Sequence, residues 1–308
     1  MKDLFIRSEH NPILTVQDLP VDAEAVLNPG ATEQDGQVVL LLRVESSNGF
    51  SSVHVARSLN GVTGWKIEKE PLLGYGQACW RYERWGCEDP RVTWLEDQQA
   101  WYITYTAYSP SGAAVGLART KDFVSVERVG LIFPPNNKDS MILPGKIGDR
   151  YAALHRPDAG GGIENIWIAY SRNLADWGEP HCVLEEGHGP AWDANRIGAG
   201  PPPLLTDQGW LMLYHGVKMY GGKYIYRVGA ALLDRDTPHK VLAKSGKCIF
   251  KPTEIYETSG LMPNVVFPTG ALQRGDDIWM YYGAADTCVA LAIGKIKDIL
   301  NVLEPVKQ

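Results

Sequence analysis

Gly86-Cys87-Glu88-Asp89-Pro90-Arg91 opens a stretch that passes a polar break at Glu96-Asp97, then an aromatic run, Trp101 to Tyr108, then a small-residue run, Val115 to Arg119. The order is a Pro-marked strand, a turn, an apolar or aromatic strand and a third strand rich in small residues. β-branched and aromatic residues suit a pleated sheet, and Gly, Asn, Asp and Pro suit the breaks between strands. The same order recurs four more times. Openings comparable to Asp89-Pro90 are Asn28-Pro29-Gly30, Leu143-Pro144-Gly145, Pro201-Pro202 and Phe267-Pro268. Second strands are expected at Val38 to Val44, Tyr151 to His155, Trp210 to Val217 and Trp279 to Ala285. Third strands are expected at Val53 to Arg57, Ile166 to Ser171, Val228 to Leu232 and Val289 to Gly294. Three third strands run into related polar stretches, Ser58-Leu59-Asn60, Thr120-Lys121-Asp122 and Ser171-Arg172-Asn173, and Trp65 and Trp177 follow two of these.

Successive openings lie roughly 55 to 65 residues apart, the length of a four-stranded blade with one long loop. The expected fold is therefore all-β, a five-bladed β-propeller, with residues 1–308 forming one domain. A β-sandwich could use similar strands but gives no reason for a fivefold repeat. Ile296 to Leu303 is the best helical candidate. In a propeller the innermost strand of each blade lines the axis, so residues at equivalent places in different repeats face one another. Arg43, Arg156 and His215 stand at the exits of second strands, and Asp286 closes the fifth. Asn28, Glu88 and Asp89 stand at the starts of first strands, and Lys138 and Asp139 slightly upstream of one. Closure would gather all of them into one polar pocket.

The composition narrows the partners. Thirty Lys and Arg against 36 Asp and Glu give a net charge of −6, with no broad basic surface for nucleic acid or an acidic membrane. Five cysteines, Cys79, Cys87, Cys182, Cys248 and Cys288, are scattered without metal-ligand or redox spacing. Met1 to Thr15 lacks the apolar core of a signal peptide, and no apolar run approaches membrane-spanning length. The expectation is a reduced, cytoplasmic protein without metal or cofactor. A homo-oligomer is left open, since subunit contacts often shape the rims of such pockets.

Two kinds of group in the pocket suggest glycosyl transfer. A carboxylic acid can protonate the leaving oxygen of a glycoside, the role open to Asp89. Hydrolysis with inversion also needs a carboxylate base to activate water. Phosphate arrives already anionic and needs a cluster of cations instead, which Arg43, Lys138, Arg156, Arg196 and His215 could form. Plainer readings exist for each: Asp89 capping a turn before Pro90, Glu88 paired with Arg91, solvated Arg43 and Arg156, and His215 as a core histidine. Cys79 to Trp85 could stack sugars or pack between blades, and Gly160 to Gly162 reads as a flexible hairpin.

At these residues the sequence resembles glycoside hydrolase family 130, the inverting β-mannoside phosphorylases and related β-mannosidases. The resemblance is carried by Glu88 to Arg91, Asn137-Lys138-Asp139 with Leu143-Pro144 and Lys146-Ile147, and His155-Arg156-Pro157. It continues through Ile197 to Pro202, Tyr214 to Val217, Gly229 to Asp234, Pro263 to Pro268 and Tyr282 to Asp286. It implies a five-bladed propeller with Asp89 as general acid, its proton reaching the glycosidic oxygen through a sugar hydroxyl. It also implies that Arg43, Arg156 and His215 serve phosphate or the sugar beside it, that Asp286 holds the mannosyl unit, and that Asn28 and Lys138 line the pocket. Arg196 stands where the family pattern leads one to expect Lys. The expected partners are a β-mannoside and inorganic phosphate. An inverting β-mannosidase would instead need a base opposite Asp89, with Glu164 and Glu254 available. A non-catalytic sugar-binding propeller is the third reading.

Overall fold

The computed structural model describes residues 3–76, 80–158, 162 and 164–306. Cys79, Gly160 and Gly161, which carried two of the loop expectations above, lie outside the described residues. The chain is all-β, and the five sequence repeats appear as five antiparallel meanders. Their first strands are Ala25–Gln34, Gly86–Leu95, Asn137–Ile147, Arg196–Ala199 and Val266–Arg274. Their second strands are Gln37–Glu45, Ala100–Ser109, Arg150–Pro157, Gly209–Tyr220 and Asp277–Ala284. Third strands follow at Ser51–Ser58, Gly112–Thr120, Ile166–Ser171, Lys223–Leu233 and Cys288–Lys295. Fourth strands in units one to four are Lys66–Ile67, Glu127–Phe133, Gly178–Leu184 and Val241–Ser245. Unit five takes its fourth strand from the other end of the chain, where Phe5–Arg7 pairs antiparallel with Ala292 to Gly294. Units one and two share one continuous sheet through a parallel bridge, Ser51 with Gly86. The expected helix forms at Ile296–Asn301.

Second strands show why the elements form. Val38 to Leu42 is apolar without a break, and all five side chains are buried. Val38, Leu40 and Leu42 join one core cluster, whereas Val39 and Leu41 point the opposite way into another. A strand covered on both faces reads as a continuous hydrophobic run. Each such side chain contributes about 1.5–3 kcal/mol relative to exposure.

The repeat extends to single hydrogen bonds. Ser58, Thr120 and Ser171 each accept two backbone N–H bonds through the side-chain oxygen, from Asn60 and Gly61, Asp122 and Phe123, and Asn173 and Leu174. Asn60, Asp122 and Asn173 then accept two more each from the following residues. Short polar side chains that bond the local backbone terminate a strand and fix the turn after it. Trp65 and Trp177 each return an indole N–H bond to the turn, to Val62 and Leu174.

Two boundaries differ from expectation. Unit three starts its first strand at Asn137, ahead of the Leu143-Pro144 opening, because a bulge between Lys138 and Met141 interrupts the pairing. In unit four, Pro201 to Pro203 supply no N–H donors, so the strand is split into Arg196–Ala199 and Leu204–Thr206, both paired with Gly209–Tyr220. Of the segment ending at Trp85, Glu83 is buried between the Tyr105 hydroxyl at 2.6 Å and Arg128 at 2.9 Å, which is packing against unit two.

Candidate active site

First strands of units one, two and three carry the same device. Asn28, Asp89 and Asp139 each sit in a bulge with a positive φ, at 45°, 49° and 51°. A bulge inserts one residue and re-aims its side chain, and left-handed backbone at a non-glycine residue marks a position fixed by its surroundings. All three line one cavity, of about 560 Å³ including its open mouth. Arg43, Lys138, Arg156, Arg196, His215 and Asp286 line it too. Of the ten residues expected from the sequence, only Glu88 is absent from the lining. It stands just behind, 3.3 Å from Arg43.

The cavity has an acid end. Asp89 Oδ1 accepts from Asn28 Nδ2 at 2.8 Å and from Arg43 Nη1 at 3.1 Å. Gly283 makes room for Asn28, since a Cβ there would collide with the Asn28 carboxamide. Arg43 also reaches Glu45 at 3.0 Å and Glu88 at 3.3 Å, so one guanidinium faces three carboxylates. Burial pushes Glu88 up from the usual carboxylate range; Arg43 opposes this and the neighbouring Asp89 adds to it. Burial likewise lifts Asp286 to about 6, against Arg43 and with help from Asp89 and Glu45. Asp286 makes no hydrogen bond or ion pair among the described residues.

That shift predicts how stability responds to neutralising Asp286. The unfolded chain releases the Asp286 proton near pH 4 and the folded chain near 6, so stability falls as pH rises through that window. Asp286→Asn should therefore stabilise the fold by about 2 kcal/mol at pH 7. The gain should vanish below about pH 4 in melts run at both values.

The opposite end is cationic. Arg156 Nη1 lies 2.9 Å from Asp139 Oδ2 and 3.2 Å from His215 Nε2. An arginine N–H only donates, so His215 Nε2 accepts and the ring proton is on Nδ1, which is buried without a partner. Burial lowers His215 to about 3; Asp139 opposes this, while Arg156, Arg91 and Arg196 reinforce it. His215 is thus a neutral donor, not one of the pocket's cations. Its fit depends on Gly198 of the Ile197 to Gly200 motif, where a Cβ would strike both His215 and Asp139. Arg196 donates to the Tyr226 hydroxyl at 2.8 Å. Lys138, paired in register with Arg156, makes no ion pair among the described residues.

Arg91 joins the two ends, a role the sequence did not show. It does not pair with Glu88. Its guanidinium is buried, donating to the Asp89 carbonyl at 3.0 Å, Asp139 Oδ1 at 3.1 Å and the Gly200 carbonyl at 3.2 Å. Asp139 is therefore a buried bridge between Arg91 and Arg156, although it reaches the cavity wall. Burial disfavours its charge, but Arg156 and Arg91 outweigh burial and hold its carboxyl well below the usual range. Tyr226 and Phe267, also in the lining, went unnoticed because nothing separates them from other aromatic residues of their strands. Of the two carboxylates considered as bases, Glu254 starts the short helix Ile255–Thr258 outside the cavity lining. Glu164 is ion-paired to Arg156 at 2.9 Å and Arg196 at 3.6 Å.

A family model described as beta-1,4-mannooligosaccharide phosphorylase matches residues 6–305. The beta-1,2-mannobiose phosphorylase of Listeria innocua is 34% identical over 97% of this chain and 98% of its own length. The beta-1,4-mannooligosaccharide phosphorylase of Ruminococcus albus is 32% identical over 98% of this chain and 92% of its own. The solved structure of the Listeria protein with beta-1,2-mannobiose superposes with a TM-score of 0.87 at 33% identity, covering 96% of this chain and 98% of that one. With a family match along nearly the whole chain and relatives this similar over almost their full length, the protein belongs to glycoside hydrolase family 130.

Proposed function

We propose that the protein is an inverting β-mannoside phosphorylase. It cleaves a manno-oligosaccharide or mannosyl-sugar with inorganic phosphate, giving α-mannose 1-phosphate and a shortened acceptor. The observation that carries this reading is one cavity with Asp89 at one end and Arg156, Arg196 and Lys138 at the other. The names of the Listeria and Ruminococcus relatives support the same chemistry.

The fold inferred with it is a single five-bladed propeller. Contacts between neighbouring first strands support closure. Gly30 lies against the Pro90 carbonyl, Thr93 donates to the Ile142 carbonyl at 2.8 Å, Gly200 lies against Pro268, and Gly270 against the Pro29 carbonyl. Units three and four meet where Ile197 N–H donates to the Glu164 carbonyl at 3.1 Å.

In the reaction a phosphate oxygen attacks the anomeric carbon as the bond to the leaving oxygen breaks. The leaving oxygen takes the Asp89 proton, relayed through a sugar hydroxyl. Attack from the face opposite the leaving group turns a β-linkage into an α-phosphate. Phosphate therefore belongs at the end away from Asp89, with Arg156, Arg196 and Lys138 as its cations and His215 and Tyr226 as uncharged partners. Arg43, saturated by Asp89, Glu88 and Glu45, fits better as the residue that holds the acid in place. Asp286, without a partner of its own, is suited to bind mannosyl hydroxyls, alongside Asn28.

The test is to incubate the purified protein with β-1,4- and β-1,2-mannobiose, with and without phosphate. Mannose 1-phosphate should form from one of them, in the α configuration and only when phosphate is present. Mannose released at equal rates in both conditions would show hydrolysis and overturn the reading.

A further inference from the structure

The two arginines of the cation end already share a carboxylate. Glu164 Oε2 lies 2.9 Å from Arg156 Nη2, and its Oε1 lies 3.6 Å from Arg196 Nη1. Two oxygens of one group span two guanidiniums, the arrangement an oxyanion ligand would adopt there. The Glu164 backbone is fixed separately from this contact. Its carbonyl accepts the Ile197 N–H at 3.1 Å, and the adjacent Asn165 side chain accepts the Glu186 N–H at 3.0 Å. The carboxylate can therefore leave the arginines by turning about its own side-chain bonds. It is 17% exposed, so it has a way out to water. Meanwhile Arg196 Nε is buried without a hydrogen-bond partner. The cation end thus has donor capacity that Glu164 does not satisfy.

Building on the phosphorylase reading, we propose that Glu164 is the resident counter-anion of the phosphate site and sets phosphate affinity by competing for Arg156 and Arg196. An incoming anion gains only the difference between its own contacts and those it takes from Glu164. Phosphate, with up to two charges and more acceptor oxygens, gains from that exchange. A singly charged anion gains little, so the arrangement selects for phosphate over chloride or a small carboxylate. The arginines also stay paired and aligned when the site holds no phosphate.

Glu164→Gln keeps the shape and removes the charge. The KM for phosphate in phosphorolysis should fall roughly tenfold, the effect of deleting one like charge at partly screened contact distance. The KM for mannobiose should not move. Inorganic sulfate should inhibit the variant roughly tenfold more strongly, and phosphate binding to the sugar-free protein, read by calorimetry, should tighten by a similar factor. Glu164→Ala should shift all three readouts in the same direction. A phosphate KM that rises in both variants means that Glu164 only orients the arginines, and an unchanged one means that it yields without competing. Either result overturns the proposal. Failure of the phosphorylase reading looks different: the wild-type protein would bind neither phosphate nor sulfate and would form no mannose 1-phosphate.

Discussion

Asp89→Asn should lower kcat for phosphorolysis of a mannobiose by about a thousandfold, while the sugar KM stays within a few-fold. The substitution is close to isosteric, and its surroundings tolerate it. Arg43 retains Glu45 at 3.0 Å and Glu88 at 3.3 Å when the Asp89 charge is gone, so no bare guanidinium is left in the cavity. The amide oxygen can still accept from Asn28 and Arg43. What disappears is the capacity to carry a proton to the leaving oxygen. A β-mannoside with a p-nitrophenolate leaving group needs little protonation, so on that substrate the deficit should shrink to less than about tenfold. Equal losses on both substrates would point to a binding role for Asp89, and no loss on either would remove it from the chemistry. A sugar-binding protein without catalysis would show no turnover to lose.

How far the sequence reveals this site follows from what a sequence can encode locally. The polar turns after Ser58, Thr120 and Ser171 are local, because each side chain bonds backbone two and three residues ahead. Hence the repeat could be read directly, and with it the strand order. The cavity residues were found by position in the repeat, since equivalent strand ends face each other. Arg91 was missed for the opposite reason. Its partners Asp139 and Gly200 are 48 and 109 residues away, on or just after first strands of other units, and sequence proximity suggested Glu88 instead. The charge of His215 was also not legible, because it depends on burial and on the direction of the Arg156 hydrogen bond. The early start of unit three was not legible because Asn137-Lys138-Asp139-Ser140 lacks the Pro that marks the other openings, whereas the structure makes it a bulged strand start.

The largest loss of stability is expected at Asp139. It stands between two buried guanidiniums, Arg91 at 3.1 Å and Arg156 at 2.9 Å, with side-chain exposures of 1% and 5%. Removing one member of a buried ion pair leaves the other charge desolvated and unpaired, which is the fate of Arg91, whereas Arg156 keeps Glu164 at 2.9 Å. Asp139→Asn should therefore cost about 3–5 kcal/mol in denaturant unfolding at pH 7. The pH dependence identifies the cause. The folded-state carboxyl is depressed below its unfolded value, so its contribution is complete above about pH 4 and is lost as the folded group takes up its proton on acidification. The gap between wild type and variant should accordingly be constant from pH 5 to 8 and narrow below about 4. Pairing the substitution with Arg91→Met should cost less than the two single losses added together, because the double variant removes the stranded charge along with its partner. A single-variant loss below about 1 kcal/mol, or a gap that does not change with acid, would mean that water reaches these arginines and that Asp139 is not the bridge between the two ends of the cavity.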